Sequence, residues 1–454
     1  MGRTELPETR YARSGDLRIA YQVFGKGPPD LVYGRTAISH LELVWEQPEV
    51  ARFFGELGTF CRVIMWDKRG VGLSDRVVGT PTLEDRMDDV RAVMDAASCP
   101  KAVIFGASDT AAMALLFAAT YPDRTLGLIL NSPMARGLWA PDYPWVWTRE
   151  EYERSFRLSD EDWGTPAHID RLTARLAPSR IEDKLFKRWL GRVVRFGSSP
   201  SADTSLARMN MEIDVRDALP AVHVPTLVMQ CPEDRFVRPE NSEFVLSHVN
   251  GSRLVKIPGI DHFAWATPSA SAAVLKAQRE FIQALPRGAA VDEDRVLQTI
   301  LFFDVVSSTQ RAAALGDRAW GELLGRLLAS ARSEVSRFRG RSVKTTGDGL
   351  LAAFDGPTRA VRCALSIREA ARALGVDLRA GLHSGECLTS LDDVTGIAVH
   401  IASRICDQAG PGEVLASRTV RDLSVGSDVR FEERGPRSLP GLDGLWTTYS
   451  ASSG

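Results

Sequence analysis

Residues 103–122 read VIFGASDTAAMALLFAATYP, an apolar run that passes through a turn of small residues into a longer run rich in alanine and leucine. The first run predicts a buried strand and the second predicts a helix. Ser108 lies in the turn between them, where a sharp strand-to-helix connection exposes a hydroxyl above the edge of a sheet. This stretch therefore predicts an α/β fold with a candidate nucleophile.

Similar apolar runs occur on both sides of this stretch, up to about residue 285. They are DLVYG (30–34), RVIMWD (62–67), LGLILNSP (126–133) and PTLVMQC (225–231). Nearly continuous apolar runs are typical of strands that are buried on both faces of a parallel sheet. The segment from about 136 to 215 interrupts the alternation and is helical in character, which predicts an inserted cap. It contains five tryptophans: Trp139, Trp145, Trp147, Trp163 and Trp189.

Two later segments supply partners for Ser108. Asp234 follows the PTLVMQC run, and His262 lies in IPGIDHFAW (257–265). Serine, aspartate and histidine in this order form the catalytic triad of α/β hydrolases. Together with WDKRGVGLSD (66–75), these segments resemble the α/β-hydrolase superfamily over about residues 10–285, which implies a mostly parallel sheet with a helical cap.

Two departures from the superfamily pattern leave hydrolase activity open. The last glycine of the G-x-S-x-G elbow is Thr110 here, and the turn that usually supplies an oxyanion donor contains Arg35 and Thr36. Losing one oxyanion donor costs about 10²–10³ in rate. The first half is therefore a serine esterase, a sensor whose pocket binds a small apolar or ester-like ligand, or an organiser of a dimer.

The segment LPRGAAVDEDR (285–295) is rich in proline, glycine and charge, which predicts a linker at 286–295. It would separate a first domain, residues 1–285, from a second, residues 296–454. The second half reads as strand, long helix, hairpin, helix and strand, an order typical of a smaller α+β domain.

Two acidic residues mark the second domain. ILFFDVVSST (300–309) predicts a strand that ends near Asp304, and VKTTGDGLLAAF (343–354) predicts a hairpin with Asp348 at its Gly-Asp-Gly tip. Each feature alone is ordinary. If the strands are neighbours, however, both carboxylates lie at one end of the sheet, where a hard divalent cation would relieve their repulsion.

A third segment, DDVTGIAVHIASR (392–404), presents His400 and Arg404 four residues apart on one helix face. With LGDRAW, RAGLHSGE, GPGEVLAS and RGPRSLPG, these segments resemble the class III nucleotide cyclase catalytic domain over about residues 296–452. The resemblance implies a ferredoxin-like α+β core. It also implies that Asp304, Asp348 and the carbonyl of Val305 bind two Mg²⁺ or Mn²⁺ ions.

The same resemblance assigns the substrate. Lys344 and Asp393 match the residues that read the purine, and a lysine donor beside a carboxylate acceptor fits adenine. Arg404 matches the arginine that stabilises charge on the α-phosphate, while His400 stands where the family has asparagine. Pro440 stands where a triphosphate-binding lysine is usual.

The resemblance further implies a homodimer that converts ATP to cyclic AMP and pyrophosphate. Metal ligands would come from one chain and the purine-reading residues and arginine from the other. One ion would acidify the ribose 3′-hydroxyl while the other holds the leaving pyrophosphate. The whole chain looks like the actinobacterial class III adenylyl cyclases with an N-terminal α/β-hydrolase domain, which implies a regulatory role for the first half. Two alternatives stay open: a serine esterase with a degenerate cyclase-like module, and a catalytically silent dimeric scaffold.

Composition limits the remaining possibilities. The chain has 454 residues, 44% of them hydrophobic and 25% charged, with a formal net charge of −2. This balance predicts a globular protein without general affinity for nucleic acid. The N-terminus lacks the apolar core of a signal peptide, no run is long enough to span a membrane, and six scattered cysteines are typical of reduced thiols. We therefore expect a cytoplasmic protein.

Overall fold

The computed structural model describes residues 6–35, 38–77, 79–286, 294–390 and 393–454. The chain forms two compact units, Met1–Val291 and Asp292–Gly454. Most of the predicted linker, residues 287–293, lies outside the described residues, as does Thr36 of the predicted oxyanion turn.

A sheet of eight strands forms the centre of the N-terminal unit as far as it is described. The strands are β1 (Thr9–Ser14), β2 (Leu17–Gly25), β3 (Asp30–Gly34), β4 (Arg62–Trp66), β5 (Ala102–Ser108), β6 (Thr125–Pro133), β7 (Thr226–Gln230) and β8 (Arg253–Lys256). Their spatial order is β1-β2-β4-β3-β5-β6-β7-β8. The pairings of β2 with β1 and with β4 are antiparallel and the others are parallel, so the apolar runs form buried parallel strands as predicted.

Helices surround this sheet. They are α1 (Pro48–Leu57), α2 (Leu83–Ala96), α3 (Asp109–Thr120), α4 (Arg149–Asp162), α5 (Pro166–Leu176), α6 (Lys184–Gly197), α7 (Pro200–Glu212), α8 (Pro239–His248) and α9 (Pro268–Ala284). Every residue of β5 and of α3 is buried, so this strand and helix lie at the centre of the unit. Helices α4 to α7 are inserted between β6 and β7, in the segment for which the sequence predicts a cap.

The C-terminal unit contains a second, mostly antiparallel sheet. Its strands are β9 (Arg295–Val305), β10 (Arg341–Thr345), β11 (Leu350–Phe354), β12 (Leu378–Thr389), β13 (Val394–Thr395), β14 (Val414–Ser417), β15 (Val429–Arg437) and β16 (Trp446–Ser453). Their order is β10-β11-β9-β12-β14-β16-β15, and β13 pairs with β12. The hairpin β10–β11 therefore lies beside β9, which is the arrangement that would bring Asp304 and Asp348 to one end of the sheet.

Helices cover both faces of this sheet. They are α10 (Ser308–Leu315), α11 (Asp317–Arg337), α12 (Pro357–Ala373), α13 (Ile397–Gln408) and α14 (Arg418–Leu423). Because strand side chains alternate between faces, Leu350 and Ala352 of β11 join the core formed with α11 and α12. Leu351 and Ala353 point the other way and pack with α13. The unit is thus α+β, as predicted.

Two composition-based expectations concern the chain as a whole. All six cysteines are buried free thiols. Within the described part of the chain, no helix combines the length and apolar character that crossing a membrane requires.

Candidate functional site

The tip of the β10–β11 hairpin lies directly against β9. Gly347 has a φ of 75°, a conformation that strains residues with a side chain. A Cβ atom on Gly349 would lie 2.1 Å from the carbonyl oxygen of Phe303, so only glycine permits this approach. The Thr346 N–H donates to the Gly349 carbonyl over 3.0 Å and closes the turn. The two glycines thus hold Asp348 beside the end of β9.

Asp304 is the penultimate residue of β9, and its carboxyl group lies next to that of Asp348. Burial raises the pKa of Asp304; a hydrogen bond from Arg379 opposes the rise, and contact with Asp348 adds to it. Two carboxyl groups this close resist ionising together unless a cation is present. Val305, which follows, has a buried side chain, so its backbone carbonyl is the group it could offer to a cation.

This pair of carboxylates fits a divalent metal ion, since Mg²⁺ prefers oxygen ligands and usually takes only one or two from carboxylates. No group of three or more histidine, cysteine or acidic side chains suited to a metal occurs among the described residues. The site would therefore depend on these two aspartates, a backbone carbonyl and oxygen atoms of the substrate.

Lys344 and Asp393, the predicted purine readers, are brought together by β10 and the start of β13. The Lys344 ammonium donates to both Asp393 carboxylate oxygens, over 2.9 and 3.1 Å. This hydrogen bond, followed by one from the Val394 N–H, lowers the pKa of Asp393. Both side chains remain about half exposed, so a ligand can reach them.

His400 and Arg404 lie on an exposed stripe of α13. Ile397, three residues before His400, belongs to the same stripe and is 60% exposed. Arg404 contacts Asp407 on its own helix, with 3.3 Å between the charged groups. An exposed isoleucine beside two polar candidates leaves a surface that a partner could cover.

Arg379 is a site residue that the sequence interpretation did not single out. It stands opposite Asp304 in the β9–β12 register, and its guanidinium donates to the Asp304 carboxylate over 2.8 Å. The same guanidinium lies 4.0 Å from Asp407. The available signal was the arginine that opens the RAGLHSGE motif, near the start of β12.

A second candidate site occurs at the end of β5. Ser108 has a φ of 50° and a ψ of −116°, the strained backbone expected of a nucleophile elbow. A Cβ atom on Gly106 would lie 2.8 Å from the Ala111 Cα, so the close strand–helix contact is made there. The Thr110 hydroxyl accepts from the Ala107 N–H and donates to the Ala107 carbonyl, both over 2.8 Å. Thr110 thus closes the elbow where the superfamily pattern has glycine.

His262 and Asp234 form a buried hydrogen bond of 2.8 Å between Nδ1 and Oδ2. The Asp234 carboxylate also accepts from the Ser132 hydroxyl over 3.0 Å and from the backbone N–H groups of Phe236 and Val237. Burial alone would raise the pKa of Asp234, but His262, followed by the N–H groups of Val237 and Phe236, holds it below the ordinary value. Asp234 is thus an ionised group that orients the imidazole.

Ser108 and His262 both line a cavity of about 580 Å³ under the cap. Four of the five predicted cap tryptophans line it as well: Trp139, Trp145, Trp147 and Trp163. Trp189 instead joins the hydrophobic core and donates to the Leu43 carbonyl over 2.8 Å. The predicted nucleophile and base therefore line the same cavity as four tryptophans of the cap.

The predicted oxyanion turn is described only at Arg35. Its Nε–H is buried and has no hydrogen-bond partner within the described chain. The guanidinium lies 5.9 Å from the centre of the Phe54 ring. A bulky side chain thus occupies a place where the superfamily has a glycine-bearing turn, and hydrolysis by this site stays a prediction.

Two protein-family models match separate parts of the chain. Residues 292–452 match the family model described as the adenylate and guanylate cyclase catalytic domain. Residues 49–265 match the model described as serine aminopeptidase, S33. These matches confirm both predicted fold classes, an α/β-hydrolase fold followed by a cyclase-type α+β domain.

Each individual relative matches only part of the chain. An uncharacterized protein of Mycobacterium tuberculosis is 33% identical over 144 residues, which cover 31% of this chain and 38% of that protein. An adenylate cyclase of Glutamicibacter nicotianae is 33% identical over 29% of this chain and 32% of its own length. A 3-oxoadipate enol-lactonase of Acinetobacter baylyi is 24% identical over 53% of this chain and 84% of its own. The chain thus spans less than two fifths of the first curated relatives that it matches.

Solved structures support the fold of the first half. A bromoperoxidase from Bacillus anthracis superposes with a TM-score of 0.53 at 18% identity, over 61% of this chain and all of that protein. An enol-lactonase from Burkholderia xenovorans superposes with a TM-score of 0.50 at 22% identity, over 60% of this chain and all of its own. At these identities the likeness shows the fold alone.

Proposed function

We propose, because residues 292–452 form a domain of the adenylate and guanylate cyclase catalytic family, that this chain is an adenylyl cyclase. It would convert ATP to 3′,5′-cyclic AMP and pyrophosphate, with the α/β-hydrolase half as a regulatory or sensor module. The observation that carries the proposal is the contact between the Asp304 and Asp348 carboxyl groups at the end of β9. The adenylate cyclase of Glutamicibacter nicotianae, similar over this half, supports the choice of reaction.

The Lys344–Asp393 pair supports adenine as the base. In the chain without ligand, the Lys344 ammonium and the Asp393 carboxylate form hydrogen bonds with each other. Adenine offers an acceptor at ring N1 and a donor at its exocyclic amine, so it could take over both hydrogen bonds without leaving either charge unpaired. Guanine presents a donor at N1 and an acceptor at O6. The Lys344 donor would then face a donor, and the Asp393 acceptor would face an acceptor.

Asp304, Asp348 and the Val305 carbonyl would hold two Mg²⁺ or Mn²⁺ ions. When bound, such ions neutralise the triphosphate and acidify the ribose 3′-hydroxyl. The hydrogen bond from Arg379 holds the Asp304 carboxylate in position. Arg404, a permanent cation with several donors, would stabilise charge on the α-phosphate, and His400 would donate a further hydrogen bond.

The exposed stripe of α13 supports a homodimer as the working form. Arg404 and His400 face solvent together with Ile397, although their proposed role requires contact with a substrate held by the two aspartates. A second copy would cover this stripe and bring it to the metal-binding end of the first copy. We therefore propose that each active site takes its metal ligands from one chain and Arg404 and His400 from the other.

The test is a cyclase assay on the full chain with ATP and GTP in parallel, in Mn²⁺ and in Mg²⁺. We expect cyclic AMP from ATP, and a loss of about 100-fold or more in Asp304→Asn and Asp348→Asn, because metal binding needs both carboxylates. Lys344→Glu should reduce ATP turnover and raise the relative use of GTP. Asp317→Asn, an exposed acid of α11, serves as the matched control. No cyclic AMP from wild type, or full activity in Asp348→Asn, would refute the proposal.

A second candidate function, serine hydrolysis, is supported by the His262–Asp234 hydrogen bond and the strained elbow at Ser108. It predicts labelling by a fluorophosphonate probe and turnover of p-nitrophenyl acetate, both abolished in Ser108→Ala. Ser155→Ala is the control, since Ser155 lines the same cavity without belonging to the triad. If wild type is not labelled, the hydrolase candidate fails and the sensor role is retained.

A further inference from the structure

Arg175, near the end of α5, is a cation in the wall of the N-terminal cavity that lies over two aromatic rings. Its guanidinium carbon lies 4.4 Å from the centre of the Trp147 ring and 4.9 Å from that of Phe236. Such cation–π contacts attract the positive charge but offer no oxygen or nitrogen acceptor to its N–H groups. The N–H groups therefore need hydrogen-bond partners elsewhere.

Those N–H groups have no partner in the described chain. Arg175 makes no hydrogen bond or ion pair there, and the ionisable groups that act on it are Tyr152 and Arg171. Arg171 is already paired with Asp162, over 2.6 Å. Burial lowers the pKa of Arg175, yet an arginine keeps its charge at neutral pH. The wall of the cavity therefore carries a desolvated positive charge without a counter-ion.

None of the described acids that line the cavity interacts with Arg175. Asp109 accepts from the Lys68 ammonium over 2.7 Å, and Glu151 accepts from the Thr148 N–H over 2.8 Å as part of a helix cap. Asp203 is acted on by Lys68 and by Asp109, and burial raises its pKa to about 6. None of the three acts on Arg175.

Arg175 also lies beside the triad histidine. The Phe236 ring that it covers makes an edge contact with the His262 ring, with 4.8 Å between centres. The carbonyl of Leu176, the next residue, accepts from the N–H of Phe263, which follows His262, over 2.9 Å. A group bound by Arg175 would therefore lie in the part of the cavity that His262 and Ser108 also line.

We infer that this cavity binds an organic acid, with the carboxylate on the N–H groups of Arg175 and an apolar or aromatic body against the cap tryptophans. The carboxylate replaces the missing counter-ion, and a planar guanidinium matches its two oxygens. Four tryptophans, Phe156 and Phe263 also line the cavity and offer apolar surface to the body of such a ligand. This assignment does not depend on the cyclase proposal, and it holds whether Ser108 hydrolyses the ligand or the domain only senses it.

The test compares 4-phenylbutyrate with its neutral amide, 4-phenylbutanamide, by tryptophan fluorescence of the full chain at pH 7.5. The two probes share size and shape and differ in charge. A charge-assisted hydrogen bond to Arg175 should make the acid bind about tenfold more tightly than the amide, or better. Arg175→Gln should bring this ratio to about one while Arg175→Lys retains part of it.

Arg235→Gln is the matched control, since Arg235 is an exposed cation that lines the same cavity and its loss changes the net charge equally. We expect it to keep the preference for the acid, and circular dichroism will show whether each variant folds. The inference is overturned if the amide binds wild type as well as the acid does, or if Arg175→Gln keeps the preference. It is also overturned if millimolar 4-phenylbutyrate leaves the fluorescence unchanged.

Discussion

His383, in β12, is a buried histidine that makes the stability of the C-terminal unit depend on pH. Its Nδ1 lies 2.9 Å from the Ser417 hydroxyl, and burial lowers its pKa from an ordinary 6.5 to about 4. Between pH 6.5 and pH 4, His383 binds a proton in the unfolded chain but stays neutral in the folded unit. Stability is therefore complete above about pH 6.5 and is lost as the pH falls towards 4.

We predict that lowering the pH from 7.5 to 5.0 costs wild type about 2 kcal/mol through this one group. His383→Gln should lose most of that dependence, because glutamine takes up no proton. The measurement is urea unfolding at both pH values, followed by the fluorescence of the chain; Trp446 lies 5.8 Å from the His383 ring and reports on this region. His248→Gln, at an exposed position, is the control. Equal pH dependence in His383→Gln and wild type would contradict the prediction.

At the residue scale, sequence reasoning finds groups that belong to compact motifs and misses groups defined by register. Asp304 and Asp348 could be predicted as neighbours because each ends a strand-like run. Arg379 could not, since only the pairing of β9 with β12 places it on Asp304. Arg175 was missed for a related reason: its partners Trp147 and Phe236 are distant in sequence and meet only under the cap.

The β10–β11 hairpin is the element on which the proposed metal site depends most directly. A Cβ atom at Gly349 would meet the Phe303 carbonyl oxygen at 2.1 Å, which backbone atoms cannot tolerate. Gly349→Ala should therefore push the tip, and Asp348 with it, away from Asp304. We expect cyclic AMP formation to fall about 100-fold, the cost of displacing a catalytic group by about 1 Å.

The control for this prediction is Gly321→Ala in α11. A Cβ atom there meets nothing within 4 Å, and alanine favours a helix, so activity and stability should be kept. Both variants would be assayed with Mn²⁺ and ATP, alongside thermal unfolding. A Gly349→Ala protein that keeps wild-type activity would show that the close approach is not required.

The strands and helices themselves could be predicted because apolar runs and periodicity are local properties. A bulge in β10 could not: the pairing of β10 with β11 shifts register between Ser342 and Lys344. Such a shift changes the face on which the following side chains lie. Val343 packs with the core under α13, whereas Lys344 is exposed and reaches Asp393. The pairing of Lys344 with Asp393 thus rests on an irregularity that alternation alone does not reveal.

At the scale of the whole molecule, the question is whether one chain can complete a cyclase site. Within one chain, Asp407 contacts Arg404 at 3.3 Å and Arg379 at 4.0 Å, and Arg379 in turn holds Asp304. This series of contacts would favour a site built within one chain. The exposure of His400, Arg404 and Ile397 on α13 instead favours a site completed by a second copy. The two arrangements predict opposite results when defective chains are combined.

We predict that Asp348→Asn and Arg404→Ala chains, each inactive alone, restore activity when they form a mixed dimer. In a two-fold symmetric pair, one site would carry both defects and the other would be intact, which gives about half of wild-type activity per dimer. The measurement uses two affinity tags, co-expression and purification through both tags, followed by the cyclase assay. The informative control pairs wild type with a chain that carries both substitutions. If sites are shared between chains, each site of the control dimer has one defect, and the control dimer is inactive. If each chain builds its own site, the control dimer has half of wild-type activity. In that case the dimer of Asp348→Asn with Arg404→Ala is inactive.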